Sequence, residues 1–330
     1  MTTNNADLGV RWLEQYEPQL PTDELVFELN KIYHTFEAQD YNVVHTEIYK
    51  QLPPVWQVMI RNAMQKTRQR KWRILDFGCG TGFEAEQLIK ELPKGTIDKL
   101  TCYDSSPKML KRCRDRISPL FPDALFTCDS RQLQADDEPY NMLATNALLH
   151  HLFDPMATIN GLLSLLTFDA MWLAGHEPSS RFYENSECLN NLEKYSRERE
   201  WRKFMYIDNY LRKFRQILGL QSDPSRQTAK EAFQRGLFRQ RPSALAVSRL
   251  VDIHLARSGE EVASGRGFDF KLMQQDLASH WDLMWVKTYS FMGHLYEGSL
   301  PRKWGRLCRD LASRFPEDGA SFSSVWRRSH

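Results

Sequence analysis

Residues 71–82 read Lys-Trp-Arg-Ile-Leu-Asp-Phe-Gly-Cys-Gly-Thr-Gly, and they set the architecture expected of the whole chain. Ile74 and Leu75 close a short apolar run of the kind that forms a buried strand. Asp76 follows, and Gly78, Gly80 and Gly82 then alternate with Phe77, Cys79 and Thr81. From Phe83 the apolar positions (Phe83, Ala85, Leu88, Ile89, Leu92) fall near helical spacing. The order is strand, glycine turn, helix. Glycine admits positive φ and puts no Cβ between backbone and ligand, and the following helix aims unpaired N–H groups at the same place. The next strand-like run, Lys99 to Tyr103, ends at Asp104. That acid lies about 22 residues beyond Gly82, the spacing at which a Rossmann-type unit sets a carboxylate against ribose hydroxyls. In a dinucleotide enzyme such a turn cradles a pyrophosphate. Here Asp76 precedes the first glycine, and a carboxylate there repels a pyrophosphate and suits a cationic ligand.

Working outward, 330 residues admit one large domain or two small ones. A hydrophobic share of 42% supports an ordinary core, and 44 basic against 42 acidic residues leave no basic footprint of the kind that phosphate-backbone binding needs. Nucleic acid is therefore not expected as a partner. None of the six cysteines forms a C-x-x-C pair, so no metal site is expected; Cys79, Cys102 and Cys128 read as buried, reduced thiols of a cytoplasmic protein. The N-terminus has neither a basic n-region nor an apolar h-region, and no apolar run has the length of a membrane span. Nothing in the residues sets an oligomeric state.

The run Asp76-Phe77-Gly78-Cys79-Gly80-Thr81-Gly82, with Asp104 after the second strand, resembles the first two motifs of class I S-adenosylmethionine-dependent methyltransferases. That resemblance implies an α/β fold: a Rossmann-like, seven-stranded, mostly parallel sheet whose last strand is antiparallel. It implies S-adenosylmethionine as cofactor and S-adenosylhomocysteine as product. Asp76 and the backbone of Gly78, Cys79 and Gly80 would hold the amino-acid end, and Asp104 with Ser105 the ribose. A third strand at Ala124 to Cys128 ends in Asp129-Ser130, matching the family's reader of the adenine amino group. A fourth, Tyr140 to Thr145, runs into Asn146, expected beside the methionine moiety, and then into His150-His151. His151 matches a histidine that recurs there in the family, and His150 is extra. The Asn/Asp-Pro-Pro-aromatic signature of exocyclic-amine methylation is missing, since Ala147 and Leu148 follow Asn146. A fifth strand, Ala170 to Ala174, ends at Gly175-His176-Glu177-Pro178.

The expected organisation is a helical segment over 1–70, a core over 71–178 and 270–330, and a helical cap inserted at 179–269. In the N-terminal segment, Thr22 is read as a helix cap with the stripe Leu25, Phe27, Leu29, Ile32 and Tyr33 behind it. One helix is read over Tyr41 to Leu52, with Tyr41, His45 and Tyr49 on one face; Tyr41 is the expected cofactor contact. The insertion carries a long helical pattern (Leu192, Tyr195, Trp201, Phe204, Met205, Tyr210, Leu211, Phe214, Leu218) broken at Pro224, with Arg197, Arg199, Arg202, Lys203, Arg212, Lys213 and Arg215 on its polar side. A loop is expected at Gly259 to Gly267. Trp281 to Phe291 and Ser321 to Trp326 read as the last two strands.

The expected chemistry is in-line methyl transfer to a small molecule, possible natural-product acceptors included, in a capped pocket. His151 is the candidate base, with His176 and Glu177 as alternatives. His45, His150 and Tyr183 are candidate substrate contacts. Two rival readings are an RNA or protein methyltransferase docking through the basic insertion, and a non-catalytic module that keeps the fold.

Overall fold

The computed structural model describes residues 10–134, 138–204, 223–255, 267–293 and 297–329. Seven strands form one sheet: β1 (Trp72–Phe77), β2 (Ile97–Tyr103), β3 (Leu125–Thr127), β4 (Tyr140–Asn146), β5 (Leu166–Pro178), β6 (Trp281–Tyr289) and β7 (Ser321–Arg328). Their order is β3-β2-β1-β4-β5-β7-β6, and β7 runs antiparallel to both its neighbours. The expected Rossmann-like sheet with one reversed last strand is thus the fold. The order reverses between β1 and β4, where open α/β sheets open a crevice at their carboxyl ends.

Alternation along the strands builds two cores, one on each face. Ile74, Met142, Met171, Leu173 and Val325 point to the side covered by the helices Pro53–Gln65, Phe83–Glu91 and Pro107–Ile117. Leu75, Leu143, Trp172, Ala174, Phe322 and Trp326 point to the other side, under Pro155–Gly161 and Phe270–Leu277. Trp172 is fully buried there, stacked on Trp326 at 5.7 Å and edge-on to Trp281 at 5.5 Å. Truncating a side chain so placed costs on the order of 3–5 kcal/mol.

Several boundaries differ from the sequence reading for local reasons. Pro21, not Thr22, is the N-cap of the helix Thr22–Glu37. That helix buries Leu25, Val26, Leu29, Asn30 and Ile32, which turns Phe27 outward. The helix expected over 41–52 breaks at His45 into Tyr41–Val44 and Thr46–Gln51. Helix Pro155–Gly161, capped by the Asp154 side chain, passes into a 3-10 turn at Leu162–Leu165. Strand β5 begins at Leu166, four residues before the expected Ala170. Pro224 starts a helix rather than ending one: Asp223 caps it, and proline suits the first position. Cys128, expected inside, is exposed.

The insertion divides its packing. Its helix Ser186–Phe204 contributes Cys188, Leu189, Leu192 and Tyr195 to a cluster with Trp304, Cys308 and Leu311 of helix Arg302–Arg314. Helices Pro224–Gln234 and Ala244–Val251 pack instead on the N-terminal helix Thr22–Glu37 through Ala229, Ala232, Val247 and Leu250. The expected continuation through Met205, Tyr210, Leu211, Phe214 and Leu218, the basic residues Arg212, Lys213 and Arg215, and 259–266 of the expected loop lie outside the described residues. No described helix is long and apolar enough to cross a membrane.

Candidate active site

A cavity of about 720 Å³ opens at the carboxyl ends of β1 and β4, within the usual range for small-molecule and cofactor sites. The glycine turn is its floor. Gly78, Gly80 and Gly82 all have positive φ (77°, 50° and 82°). A Cβ on Gly78 would stand 2.6 Å from Leu148 Cδ1, whereas no heavy atom lies within 4 Å of one on Gly80. Gly80 therefore turns bare backbone to open space. Its N–H donates to Asp104 Oδ2 at 2.8 Å, and the Ser106 N–H donates to Oδ1 at 2.8 Å. Burial raises the Asp104 pKa, with the Ser106 amide and the His34 charge opposing. Ser106 also caps the next helix, accepting from Met109. Asp76 lies beneath the turn, fully buried, with neither oxygen hydrogen-bonded among the described residues. Burial and the Glu84 carboxyl hold its pKa well above the usual range. The sulfurs of Cys79, Cys102 and Cys113 cluster beside it, within 4.8 Å of one another.

Gly80→Ala is a direct test of this floor. Left-handed backbone costs an alanine about 1 kcal/mol, so the protein is expected to fold. Its new methyl would stand in the cavity and weaken S-adenosylmethionine binding at least tenfold. Calorimetry alongside a denaturation curve separates the two effects.

The N-terminal segment, which carries the expected cofactor contact Tyr41, forms one wall of the cavity. Tyr49 donates to Asn42 Oδ1 at 2.8 Å and hydrogen-bonds Thr81 of the turn, and its ring packs edge-on to Phe83 at 5.6 Å. Glu37, 6% exposed, accepts from His34 Nδ1 at 3.1 Å and from His45 Nε2 at 2.8 Å. Burial pushes its carboxyl pKa up, but these hydrogen bonds outweigh it and set the value at about 2 against 4.5. The sign follows from linkage: between those values the unfolded chain binds the proton more tightly. Stability from this carboxylate is complete above about pH 4.5 and is lost as pH falls toward 2, on the order of 3 kcal/mol in all. Glu37→Gln is expected to flatten the acid limb of a stability–pH curve across that window. An unchanged slope would count against the network.

At the opposite wall β4 and β5 deliver the histidines. Asn146 lines the cavity, its Oδ1 accepting from Trp56 Nε1 at 3.1 Å. Ala147 follows at φ 50°, and the chain then turns through His150 and His151. His151 lines the cavity. Its Nδ1 lies 2.8 Å from the Val251 carbonyl, which only accepts, so Nδ1 carries the hydrogen and Nε2 the lone pair. Burial, then the neighbouring His150 and His34, hold its pKa well below the ordinary histidine value. The ring is thus neutral and basic at Nε2 near pH 7.

Other expected site residues stand elsewhere. Glu177 is fully buried, accepting from the amides of Leu148 and Leu149 and from His150 Nδ1, so it braces the turn and is not a base in the cavity. His150 is committed to Glu177 and does not line the cavity. His176, at φ 57°, stacks on Tyr289 and pairs with its hydroxyl at 3.1 Å, away from the lining. Tyr183 belongs to the cluster around Trp304. His45 packs on Tyr41 at 4.5 Å and acts through Glu37, while Tyr41 itself is on the cavity wall. Ser105 is there too, but Asp129 and Ser130 are not. Asp129 is chelated by Arg131, through Nε at 3.0 Å and Nη2 at 2.8 Å. The sequence reading missed His34, Asn30, Glu84 and Phe153 on the wall. Only His34 carried a signal, standing directly after Tyr33 at the end of the apolar stripe of its helix. No described residue of 179–269 lines the cavity, although Val251 supports His151 from behind and His254 Nε2 donates to the Leu152 carbonyl.

The donor set fits S-adenosylmethionine: bare backbone at Gly80, Asp104 beside it, and no lysine or arginine among the described lining residues to oppose a cationic ligand; Asp76, expected at the amino-acid end, is fully buried beneath the turn and does not line the cavity. The protein family described as "Methyltransferase domain" matches residues 74–167. The chain is 27% identical over 143 residues to malonyl-[acyl-carrier protein] O-methyltransferase 1 of Ilyobacter polytropus, covering 42% of this chain and 50% of that one. It is 31% identical over 108 residues to the malonyl-[acyl-carrier protein] O-methyltransferase of Bacillus cereus, covering 32% and 38%. The chain thus spans about half or less of the length of these curated relatives. Among solved structures it is similar to the plantazolicin methyltransferase BpumL in complex with SAH, at 14% identity and a TM-score of 0.45, covering 94% of this chain and 99% of that one. The sheet order, the Asp-x-Gly-x-Gly-x-Gly turn with Asp104 and the methyltransferase-domain match across them support a class I S-adenosylmethionine-dependent methyltransferase.

Proposed function

We infer that the chain transfers a methyl group from S-adenosylmethionine to a small-molecule acceptor held in the cavity between the N-terminal helices and the glycine turn. Bound there, the cofactor supplies a methyl on an already activated sulfonium, so the protein's share is alignment and exclusion of water. The Gly78–Gly80 backbone would hold its amino-acid end and Asp104 its ribose. His151 Nε2 takes a proton from an acceptor that must lose one. The observation that carries this reading is a neutral histidine on the wall of the same cavity as Gly80 and Asp104. Enclosure by Tyr41, Tyr49 and the helix Thr22–Glu37 favours a small acceptor over a docked macromolecule.

Calorimetry with S-adenosylmethionine and S-adenosylhomocysteine tests the cofactor, and a methyl-transfer assay tests the chemistry. His151→Asn is expected to keep cofactor affinity within about threefold and to lower turnover by on the order of 100-fold. A variant with undiminished turnover removes His151 as the base.

A further inference from the structure

The cavity wall has a consistent charge. Helix Thr22–Glu37 lays Asp23, Glu24 and Glu28 along one side, and Asp154 faces the cavity from the turn after His151. No lysine or arginine is among the described lining residues. Lys31 is 3.5 Å from Glu28 and offsets that carboxylate in part, and Asp154 Oδ1 is occupied as a cap by the Ala157 amide. Asp23 and Glu24 enter into no such pairing in the described residues. Among the described lining residues His34 is taken by Glu37.

A second observation is independent of these acids. Asn30 lines the cavity and is 8% exposed. Its amide NH2 is spent on the carbonyls of Val26 and His151, both at 3.0 Å, which fixes the orientation of the group. Its Oδ1 is buried and has no partner among the described residues. A buried acceptor left open in this way costs about 1–3 kcal/mol and calls for a donor. Between the rim acids and His34, 11 residues of helix rise about 16 Å, and Phe27 and Phe153 give that length an apolar lining.

We propose that the acceptor is an elongated basic amine, drawn in by the carboxylates of helix Thr22–Glu37 and methylated on nitrogen beside His151. The inference rests on the methyl-transfer reading above and names its substrate class. In the transfer, the amine lone pair forms the new N–CH3 bond as the S–CH3 bond breaks and the sulfonium becomes a thioether. The proton carried by the incoming amine goes to His151 Nε2, whose hydrogen bond to Val251 keeps that nitrogen available. A carboxylate acceptor meets the opposite situation: it enters past like charges, and among the described lining residues His34 is already paired with Glu37. The similar carrier-protein enzymes are named as O-methyltransferases; this wall selects differently.

Three probes of matched length decide the point: 1,8-diaminooctane, 1,8-octanediol and sebacate, each titrated into the protein saturated with S-adenosylhomocysteine. The diamine is expected to bind at least tenfold tighter than the diol, with sebacate weaker than both. The Asp23→Asn, Glu24→Gln, Glu28→Gln triple variant is expected to lose about tenfold in diamine affinity while binding S-adenosylhomocysteine as before. Equal or tighter binding of the diol or sebacate, no binding of the diamine, or an unchanged triple variant each overturns the proposal. Failure of S-adenosylhomocysteine to bind the unmodified protein is a separate result: it overturns the methyl-transfer reading itself, and this inference with it.

Discussion

Glu177→Ala is expected to destabilise the protein by about 4 kcal/mol in urea denaturation, although Glu177 does not itself line the cavity. The carboxylate is fully buried and accepts from three donors: the amides of Leu148 at 2.9 Å and Leu149 at 3.0 Å, and His150 Nδ1 at 3.0 Å. Truncation leaves those donors buried without an acceptor, and each costs about 1–3 kcal/mol. The effect reaches the site because the same turn carries Leu148, packed over Gly78, and His151. Glu177→Gln keeps a carbonyl oxygen for the two amides and places its NH2 toward the His150 ring, so a loss of about 1 kcal/mol is expected. If alanine and glutamine variants unfold at the same urea concentration, the hydrogen bonds are not what Glu177 contributes.

Asp104→Ala is expected to weaken S-adenosylmethionine binding by on the order of 100-fold or more. Two contributions add. The Gly80 and Ser106 amides lose their common acceptor, so the turn is no longer held in its open shape. The ribose hydroxyls that the family resemblance assigns to this carboxylate lose theirs as well. Hydrogen bonds to charged groups contribute roughly 1.5–3 kcal/mol each, so losing two accounts for the expected factor. Asp104→Asn, which preserves shape and one carbonyl, should fall between the two. Unchanged affinity in the alanine variant would remove the cofactor assignment at this position.

Along the sheet the sequence was legible because the signals are local. Phe83 onward repeats at helical spacing, and apolar runs such as Ile74–Leu75 and Ala170–Ala174 have room only in a buried strand. Asp104 was legible because a strand end after a glycine turn has few places to go. Asp129 was read by the same rule. Its side chain, however, has a guanidinium two residues away, and the ion pair with Arg131 takes both oxygens. Glu177 looked like a candidate base because it ends a strand beside a histidine. Its burial depends on how Leu148 to His150 fold over it, a contact across about 28 residues of chain that no local pattern encodes. Phe27 passed for a core residue because it is apolar on an amphipathic helix; which face is buried depends on where Ala229 and Val247 press.

From residue order alone came the class of the fold, the place of the glycine turn, the acids beneath and beside it, and the methyl donor they imply. These rest on periodicity, on glycine's freedom at positive φ and on charge at fixed spacing, all properties of short stretches. The wall facing the donor is different. His34, Asn30 and the carboxylates of Thr22–Glu37 lie at least 40 residues before Gly78 in the chain, yet share a cavity with it and with His151. Cover was expected from 179–269 together with the N-terminal helices; among the described residues it comes from the N-terminal helices, while the described insertion helices bury their apolar faces against Thr22–Glu37 and Arg302–Arg314. Acceptor chemistry is therefore set by packing between distant segments, where burial decides which charges are spent on one another and which remain for a ligand.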